Sequence, residues 1–318
     1  MYITDNEEWI KQSRPHKELV ELYIMTLDKK EGTVKSYAGN LKRYLAFLDE
    51  IGVEKPTEVH VVQFKRKMKQ KNPDGGATIQ KYVVVLHQFY KWCKKKGYYP
   101  NIAEDLTGES IKPTFKRDYL RKDQIDAVLK KAVKRRNKNI ICLRDCALFH
   151  LLLFTGMRTI EASRANKDDL RVKNNITYLY IRGKGRDEKD EAVIVSSTPL
   201  AYLNEYLEAR NDKFEPLFIE HGHNRHGGRL STKTISKAIK TLLGLVGIAD
   251  RSLTAHSLRH TFATIAMANG VPLEKIRISL RHKDSATTER YLHYLNRDNN
   301  DTEFIVAEAI EKNTKNKK

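Results

Sequence analysis

Six polar side chains in the second half of the sequence have the chemical types that phosphoryl transfer without a metal ion requires. They are two arginines, one lysine, two histidines and one tyrosine: Arg158, Lys184, His256, Arg259, His282 and Tyr291. Attack on a phosphodiester builds negative charge on the non-bridging oxygens, and arginine stabilises that charge because its planar guanidinium donates two hydrogen bonds and stays protonated. A tyrosine hydroxyl, with a pKa of about 10, acts as a nucleophile when cations or a base lie beside it. A lysine or histidine supplies the proton that the leaving oxygen needs.

Metal-dependent nucleases use a different set of groups, because they hold Mg²⁺ with clustered carboxylates. The sequence has no convincing acidic cluster of that kind. We therefore expect neither a metal ion nor another cofactor.

Each of these side chains also has an ordinary structural role available. Arg158 and Glu161 are three residues apart, which on a helix is usually a surface salt bridge of small worth. A lysine in a glycine-flanked turn is usually solvated, and histidines or a tyrosine on helices are more often structural than catalytic. A structural account must explain all six in one half of a very basic chain, so we favour the chemical interpretation.

The composition points to a polyanionic partner. In 318 residues, 59 Lys+Arg stand against 40 Asp+Glu, which gives a formal net charge of +19. Such a surplus is typical of proteins that bind nucleic acid or an anionic membrane surface. No apolar run approaches the roughly 20 residues that span a bilayer, and the N-terminal MYITDNEEWI lacks the features of a secretory signal. We expect a cytoplasmic, nucleic-acid-binding protein without a membrane segment.

The elements that would position these residues fall into two halves. In the first half, residues 33–51 and 77–96 carry apolar side chains at three- and four-residue intervals, which predicts helices with Thr33 as an N-cap and Val84 on a buried face. Residues 110–119 are basic and contain Pro113, as linkers do. We expect a helical DNA-binding domain over residues 1–109 and a linker over 110–119.

In the second half of the sequence, the spacing of the apolar residues is helical in some segments and strand-like in others. An apolar helix is predicted over residues 142–154, and two β-branched and aromatic segments, 175–181 and 191–195, flank a turn-rich GKGRDEKD, which predicts a hairpin. Helical pattern resumes at Pro199. The predicted fold class is therefore mainly α, with a small antiparallel β-sheet in the C-terminal domain.

Four segments resemble, in order and in approximate spacing, the motifs of the tyrosine site-specific recombinases of the phage integrase type. They are TGMRTIEA, IRGKGRDEKDEAVIV, HSLRHTFAT and SLRHKDSATTERYLHY. The first half resembles the SAM-like core-binding domain of the same family, so the resemblance covers nearly the whole chain. It implies a catalytic domain over residues 120–300. The apolar stripe in DTEFIVAEAI and the polar NTKNKK ending predict a C-terminal helix and disordered tail over 301–318.

The resemblance also implies a role for each side chain. Tyr291 would be the nucleophile and would form a 3′-phosphotyrosyl bond. Arg158 and Arg259 would clamp the scissile phosphate. Lys184 would protonate the leaving 5′ oxygen, His256 would assist proton transfer, and His282 would bond a non-bridging oxygen. No ATP is needed, because the phosphotyrosine stores the energy of the broken bond.

Several neighbouring residues qualify this assignment. Glu161 matches a buried acid that supports the arginine, and His260 matches a common position with a packing role. Lys189 competes with Lys184, and Tyr294 is a weaker rival of Tyr291. Arg281 stands where the family usually has glycine, a change that either alters the turn or adds a phosphate contact.

The implied partners are double-stranded DNA recombination sites and three further copies of the chain. In this family four protomers exchange strands through a Holliday junction, and a C-terminal helix docks on a neighbour; packing on its own domain is the alternative here. A type IB topoisomerase, a non-catalytic DNA-binding regulator and a membrane-surface protein are the competing classes. The core-binding helices disfavour the topoisomerase, and the complete residue set disfavours the non-catalytic regulator. The motifs disfavour the membrane-surface protein. Dimer resolution and mobile-element integration both stay open.

Overall fold

The chain divides into two units, Met1–Thr114 and Phe115–Lys318. The computed structural model describes residues 14–73, 75–109, 119–183, 188–222, 226–250 and 252–282. The predicted linker 110–119 therefore lies almost wholly outside the described residues, and the predicted C-terminal helix and tail lie entirely outside them.

The first unit is helical where it is described. Its helices are α1 (His16–Met25), α2 (Glu31–Glu50), α3 (Glu58–Lys71) and α4 (Gly76–Lys96). Aromatic side chains fill the space between them: Tyr44, Phe64, Phe89, Tyr90 and Tyr99 are each at most 1% exposed. The hydroxyls of Tyr44 and Tyr90 satisfy each other at 2.9 Å, as buried polar groups must.

Two details of the predicted helices were wrong. Helix α2 begins at Glu31, and Lys30 rather than Thr33 is its N-cap. Glu31 in the first turn faces the positive end of the helix dipole and pairs with Lys35 one turn later. In α4, Val84 is 41% exposed, because the successive valines at 83, 84 and 85 cannot all face one side of a helix with 3.6 residues per turn.

The second unit is mostly helical. Its α-helices are α5 (Lys122–Arg135), α6 (Ile140–Thr155), α7 (Thr159–Arg164), α8 (Ser197–Arg210), α9 (Thr232–Gly244), α10 (Ala255–Ala268) and α11 (Leu273–Leu280). The central element is α6, in which most side chains from Leu143 onward are buried. A helix that is apolar all round needs neighbours on every side, and α5, α8 and α10 pack against it.

A three-stranded antiparallel sheet completes this unit, with strand order β1–β2–β3. The predicted hairpin is present as β2 (Ile176–Ile181) and β3 (Glu191–Ile194). The sequence did not indicate β1 (Leu170–Lys173), a short and largely exposed strand that pairs with β2. Asn174 and Asn175 join the two strands with φ of 51° and 59°, the backbone that a tight hairpin turn requires.

The predicted fold class is confirmed: the chain is mainly helical with a small antiparallel sheet in its second unit. Among the residues that the structure describes, none of the helices has the length and apolar character needed to cross a membrane.

Candidate active site

The site is built around the end of α6. That helix stops at Gly156, which has φ of 59° and therefore turns the chain sharply. A Cβ on Gly156 would lie 2.8 Å from Cδ1 of Phe262 and 2.9 Å from Cδ2 of Leu280. The close approach places the start of α7 beside α10 and the end of α11.

Arg158 is the N-cap residue of α7 and is held by three hydrogen bonds. Its main-chain nitrogen donates to Oε2 of Glu161 at 2.8 Å, and its Nη1 donates to Oε1 of the same carboxylate at 2.7 Å. Its Nη2 donates to the carbonyl oxygen of Arg281 at 3.1 Å. The Arg158 side chain remains 24% exposed whereas Glu161 is fully buried, so this pair is no ordinary surface salt bridge.

Arg259 approaches the same point from α10 and is only 1% exposed. Its Nη1 donates to the carbonyl oxygen of Gly156 at 2.8 Å, and its Nη2 donates to the carbonyl oxygen of Leu280. Each terminal nitrogen of a guanidinium carries two hydrogens, so one bond to a carbonyl does not exhaust its donor capacity.

The C-terminal end of α11 thus receives both arginines. The carbonyl of Leu280 accepts from Arg259, and the next carbonyl, of Arg281, accepts from Arg158. The last carbonyls of a helix have no partner within the helix and carry the negative end of its dipole. Two guanidinium groups that are more than 100 residues apart in sequence are brought together by one helix end.

His282 follows directly and is 8% exposed. Its main-chain nitrogen donates to the carbonyl oxygen of Arg277 at 3.1 Å, which closes the turn after α11. Burial lowers the pKa of its imidazole, and the positive charges of Arg259, Arg158 and Arg281 lower it further, to about 3. His282 is therefore a neutral imidazole near neutral pH, able to donate one hydrogen bond and accept another.

His256 lies in the first turn of α10, one turn before His260. Their ring centroids are 4.9 Å apart at an interplanar angle of 84°, the edge-to-face arrangement that aromatic rings prefer. Both rings are half-buried. His260 thus packs against His256.

Glu161 receives a second arginine that the sequence did not indicate. Nη2 of Arg281 lies 2.8 Å from Oε2 of Glu161, and the Arg281 side chain is 6% exposed. Burial alone would raise the pKa of Glu161, but the charge of Arg281 and the hydrogen bonds from Arg158 outweigh it, and the pKa is lowered. The only hint in the sequence was a charged residue at a position where the resemblance leads one to expect glycine.

Two of the six predicted side chains, Lys184 and Tyr291, lie outside the described residues, as does Tyr294. Lys189, the rival of Lys184, is described: its Nζ lies 2.5 Å from Oδ1 of Asp169, whose residue is 3% exposed. Its ammonium group is thus committed to a buried carboxylate.

Three of the four described candidates, Arg158, Arg259 and His282, lie around one helix end. The fourth, His256, lies in the first turn of α10, the helix that carries Arg259. Two permanent cations beside a neutral imidazole form a site for an anion with several oxygens, such as a phosphodiester. Within the described ranges, no group of three His, Cys, Asp or Glu side chains is arranged to hold a metal ion.

Comparison of the sequence with known proteins identifies the family of this chain. Residues 118–297, more than half of the chain, match the phage integrase family, and residues 20–97 match the N-terminal SAM-like domain of phage integrases. The tyrosine recombinase XerD of Lacticaseibacillus casei is 28% identical over 289 residues, which cover 87% of this chain and 94% of that protein. The XerD of Oceanobacillus iheyensis is 28% identical over 275 residues, covering 83% and 88%.

Solved structures share the fold. The XerH site-specific recombinase bound to a palindromic difH substrate superposes with a TM-score of 0.69 at 20% identity, over 91% of this chain and 84% of that one. A lambda integrase tetramer bound to a Holliday junction gives a TM-score of 0.67 at 15% identity, over 88% and 78%. By these matches the chain belongs to the phage integrase family and is a Xer-like tyrosine recombinase.

Proposed function

We propose that this recombinase cleaves and rejoins DNA at specific sites through a covalent 3′-phosphotyrosyl bond to Tyr291. The observation that carries the proposal is the convergence of Arg158, Arg259 and the neutral His282 on the end of α11. The two arginines supply the positive charge that a phosphoryl-transfer transition state needs. The proposed reaction therefore requires no metal ion. It requires no ATP, because the phosphotyrosyl bond keeps the energy of the broken phosphodiester bond.

In the proposed cleavage step, the hydroxyl oxygen of Tyr291 attacks the phosphorus and the bond to the 5′ oxygen breaks. Arg158 and Arg259 hold the non-bridging oxygens, and His282 donates a further hydrogen bond to one of them. Lys184 gives the leaving oxygen its proton, and His256 assists proton transfer from Tyr291. Religation is the reverse attack by a 5′ hydroxyl, and it regenerates the tyrosine.

Lys184 is our choice of proton donor over Lys189. The ammonium of Lys189 is paired with Asp169 at 2.5 Å. This pairing supports a structural role for Lys189 in fastening the segment before β3.

The proposed substrate is a double-stranded DNA recombination site, and the proposed active assembly is a homotetramer that passes through a Holliday junction. The XerH structure bound to difH and the lambda integrase tetramer on a Holliday junction share this fold and support both points. We assign DNA-site binding to residues 1–109 and the chemistry to residues 120–300. The cytoplasm is the expected location.

A covalent-trapping experiment tests the proposal. The full chain is incubated with suicide DNA substrates, nicked near candidate sites from the flanks of its gene and from dimer-resolution-like sequences, in EDTA and without ATP. We expect a protein–DNA adduct on a denaturing gel that is lost in Tyr291→Phe and retained in Tyr294→Phe. An adduct that survives in Tyr291→Phe, or DNA binding without any adduct across the whole substrate set, would contradict the proposal.

A further inference from the structure

Arg281 has a backbone conformation that its residue type disfavours. Its φ is 56°, in the left-handed region that a Cβ makes costly. Among the residues that the structure describes, the other non-glycine residues with positive φ are all asparagines, which tolerate this region: Asn174, Asn175 and Asn211. An arginine at this position calls for a compensating interaction of its side chain.

The side chain provides that interaction inside the site. Nη2 of Arg281 contacts Oε2 of Glu161 at 2.8 Å, and Nη1 donates to the carbonyl oxygen of Ser279 at 2.5 Å. Nε lies 3.9 Å from Oε2 of Glu191 at the start of β3. With 6% of the side chain exposed, the guanidinium is directed at these protein groups.

These contacts close a ring with Arg158. The side chain of Arg281 binds one oxygen of Glu161, the other oxygen binds Nη1 of Arg158, and Nη2 of Arg158 returns to the carbonyl of Arg281. A carboxylate held on both oxygens has lost its rotational freedom, so it orients its second partner more strictly than a single ion pair does. Arg158 is thereby fixed from two directions by one residue.

We propose that Arg281 is a positioning residue that orients Arg158 through Glu161. This inference rests on the proposed role of Arg158 at the scissile phosphate. In this proposal the turn after α11 is left-handed, and the side chain of Arg281 binds a protein carboxylate rather than the phosphate.

Arg281→Gly is a clean test because glycine adopts this backbone without strain, and folding should be preserved. We expect the single-turnover cleavage rate at saturating protein to fall about tenfold, within the range of coupling between contacting residues. The Kd for DNA and the melting temperature should change little. An unchanged rate, or a weaker Kd with an unchanged rate at saturation, would overturn the proposal.

The route through Glu161 is tested by repeating the substitution in a Glu161→Gln background. If Arg281 acts through that carboxylate, Arg281→Gly should change the cleavage rate there by less than about twofold. An equal loss in both backgrounds would mean that Arg281 acts on the substrate directly, and the proposal would be wrong.

A crystal structure of Arg281→Gly gives a readout that does not depend on activity. We expect the guanidinium of Arg158 to leave its present position or to occupy several positions. An unmoved, well-ordered Arg158 would refute the positioning role even if the wild type formed no adduct. Failure of the wild type to form an adduct would reject the proposed function instead, so the two failures are separable.

Discussion

Arg259 donates from Nη1 to the carbonyl oxygen of Gly156 at 2.8 Å, across 103 residues of sequence. With its second bond, to the carbonyl of Leu280, this side chain ties the end of α6 to the end of α11. The guanidinium is therefore both a structural link between helices and the proposed ligand of the phosphate. These two roles are separable by experiment.

Arg259→Lys should abolish most of the cleavage activity. A lysine keeps the charge but loses the planar fork, so it cannot bond both carbonyls and a phosphate oxygen in the same geometry. We expect a fall of about 100-fold or more in the single-turnover cleavage rate, the usual effect of removing one transition-state donor. Cleavage of a suicide substrate at saturating protein measures it.

Arg210→Lys is a matched control for this experiment. Arg210 also has a fully buried side chain and donates to carbonyls, those of Pro216, Leu217 and Phe214 at 2.7, 2.9 and 3.1 Å, as well as to the carboxylate of Asp212. Its substitution should lower the melting temperature to a similar extent and leave the cleavage rate per folded molecule unchanged. Equal losses of cleavage in the two variants would assign Arg259 a structural role alone.

Gly156→Ala should destabilise the second unit and misplace the carbonyl that Arg259 uses. The new Cβ would lie less than 3 Å from side-chain atoms of Phe262 and Leu280, and φ is positive. Backbone strain and crowding together should therefore lower the free energy of unfolding by about 3 kcal/mol. Gly270→Ala isolates the backbone part, because its φ is 74° and nothing lies within 4 Å of its Cβ. It should cost about 1 kcal/mol. Urea unfolding measures both, and equal costs would contradict the crowding.

His282 should remain neutral far below the pKa of an ordinary histidine. Its burial and the arginines around it lower the pKa to about 3, whereas the unfolded chain takes up the proton near pH 6.5. Because the pKa of His282 is lower in the folded chain, the unfolded chain binds the proton first. The free energy of unfolding therefore decreases as the pH falls from 6.5 towards 3. An NMR titration of the imidazole should show no protonation down to pH 5, and a midpoint near 6.5 would be inconsistent with the described surroundings.

His16 should make the first unit sensitive to acid. It is 5% exposed, its ring lies edge-on to Tyr99 with centroids 4.4 Å apart, and burial lowers its pKa to about 4. The unfolded chain binds a proton between pH 6.5 and 4 that the folded chain does not, so stability is lost over that window as the pH falls. Urea unfolding at pH 7 and pH 5 should show a smaller loss in His16→Gln than in the wild type. Identical losses would exclude His16 as a source of this sensitivity.

Local patterns predicted the helices and the hairpin well, because periodicity reports which face of an element is buried. The apolar run that became α6 and the segments that became β2 and β3 are examples. Strand β1 escaped detection because four residues, mostly exposed, carry too little alternation to stand out. Val84 was misplaced because an uninterrupted apolar run does not say which of its members faces outward.

Local patterns in the sequence could not predict the contacts that build the site. The motifs indicated Arg158, Arg259 and His282, but nothing in them states that Leu280 and Arg281 supply carbonyl acceptors. Nor does the sequence state that Arg281 folds back onto Glu161, 120 residues away. Such contacts depend on how helices meet in three dimensions, and the spacing of residues within one helix carries no record of that.

The acceptors at the end of α11 are main-chain atoms, and this has a consequence for which changes the site tolerates. Every residue type supplies a carbonyl, so a substitution at position 280 that keeps the backbone also keeps the bond to Arg259. A single inserted or deleted residue within Leu273–Leu280 would turn the helix end by about 100° and shift it by about 1.5 Å. It would withdraw the carbonyls from both arginines at once, so these two bonds depend on the number of residues in the segment.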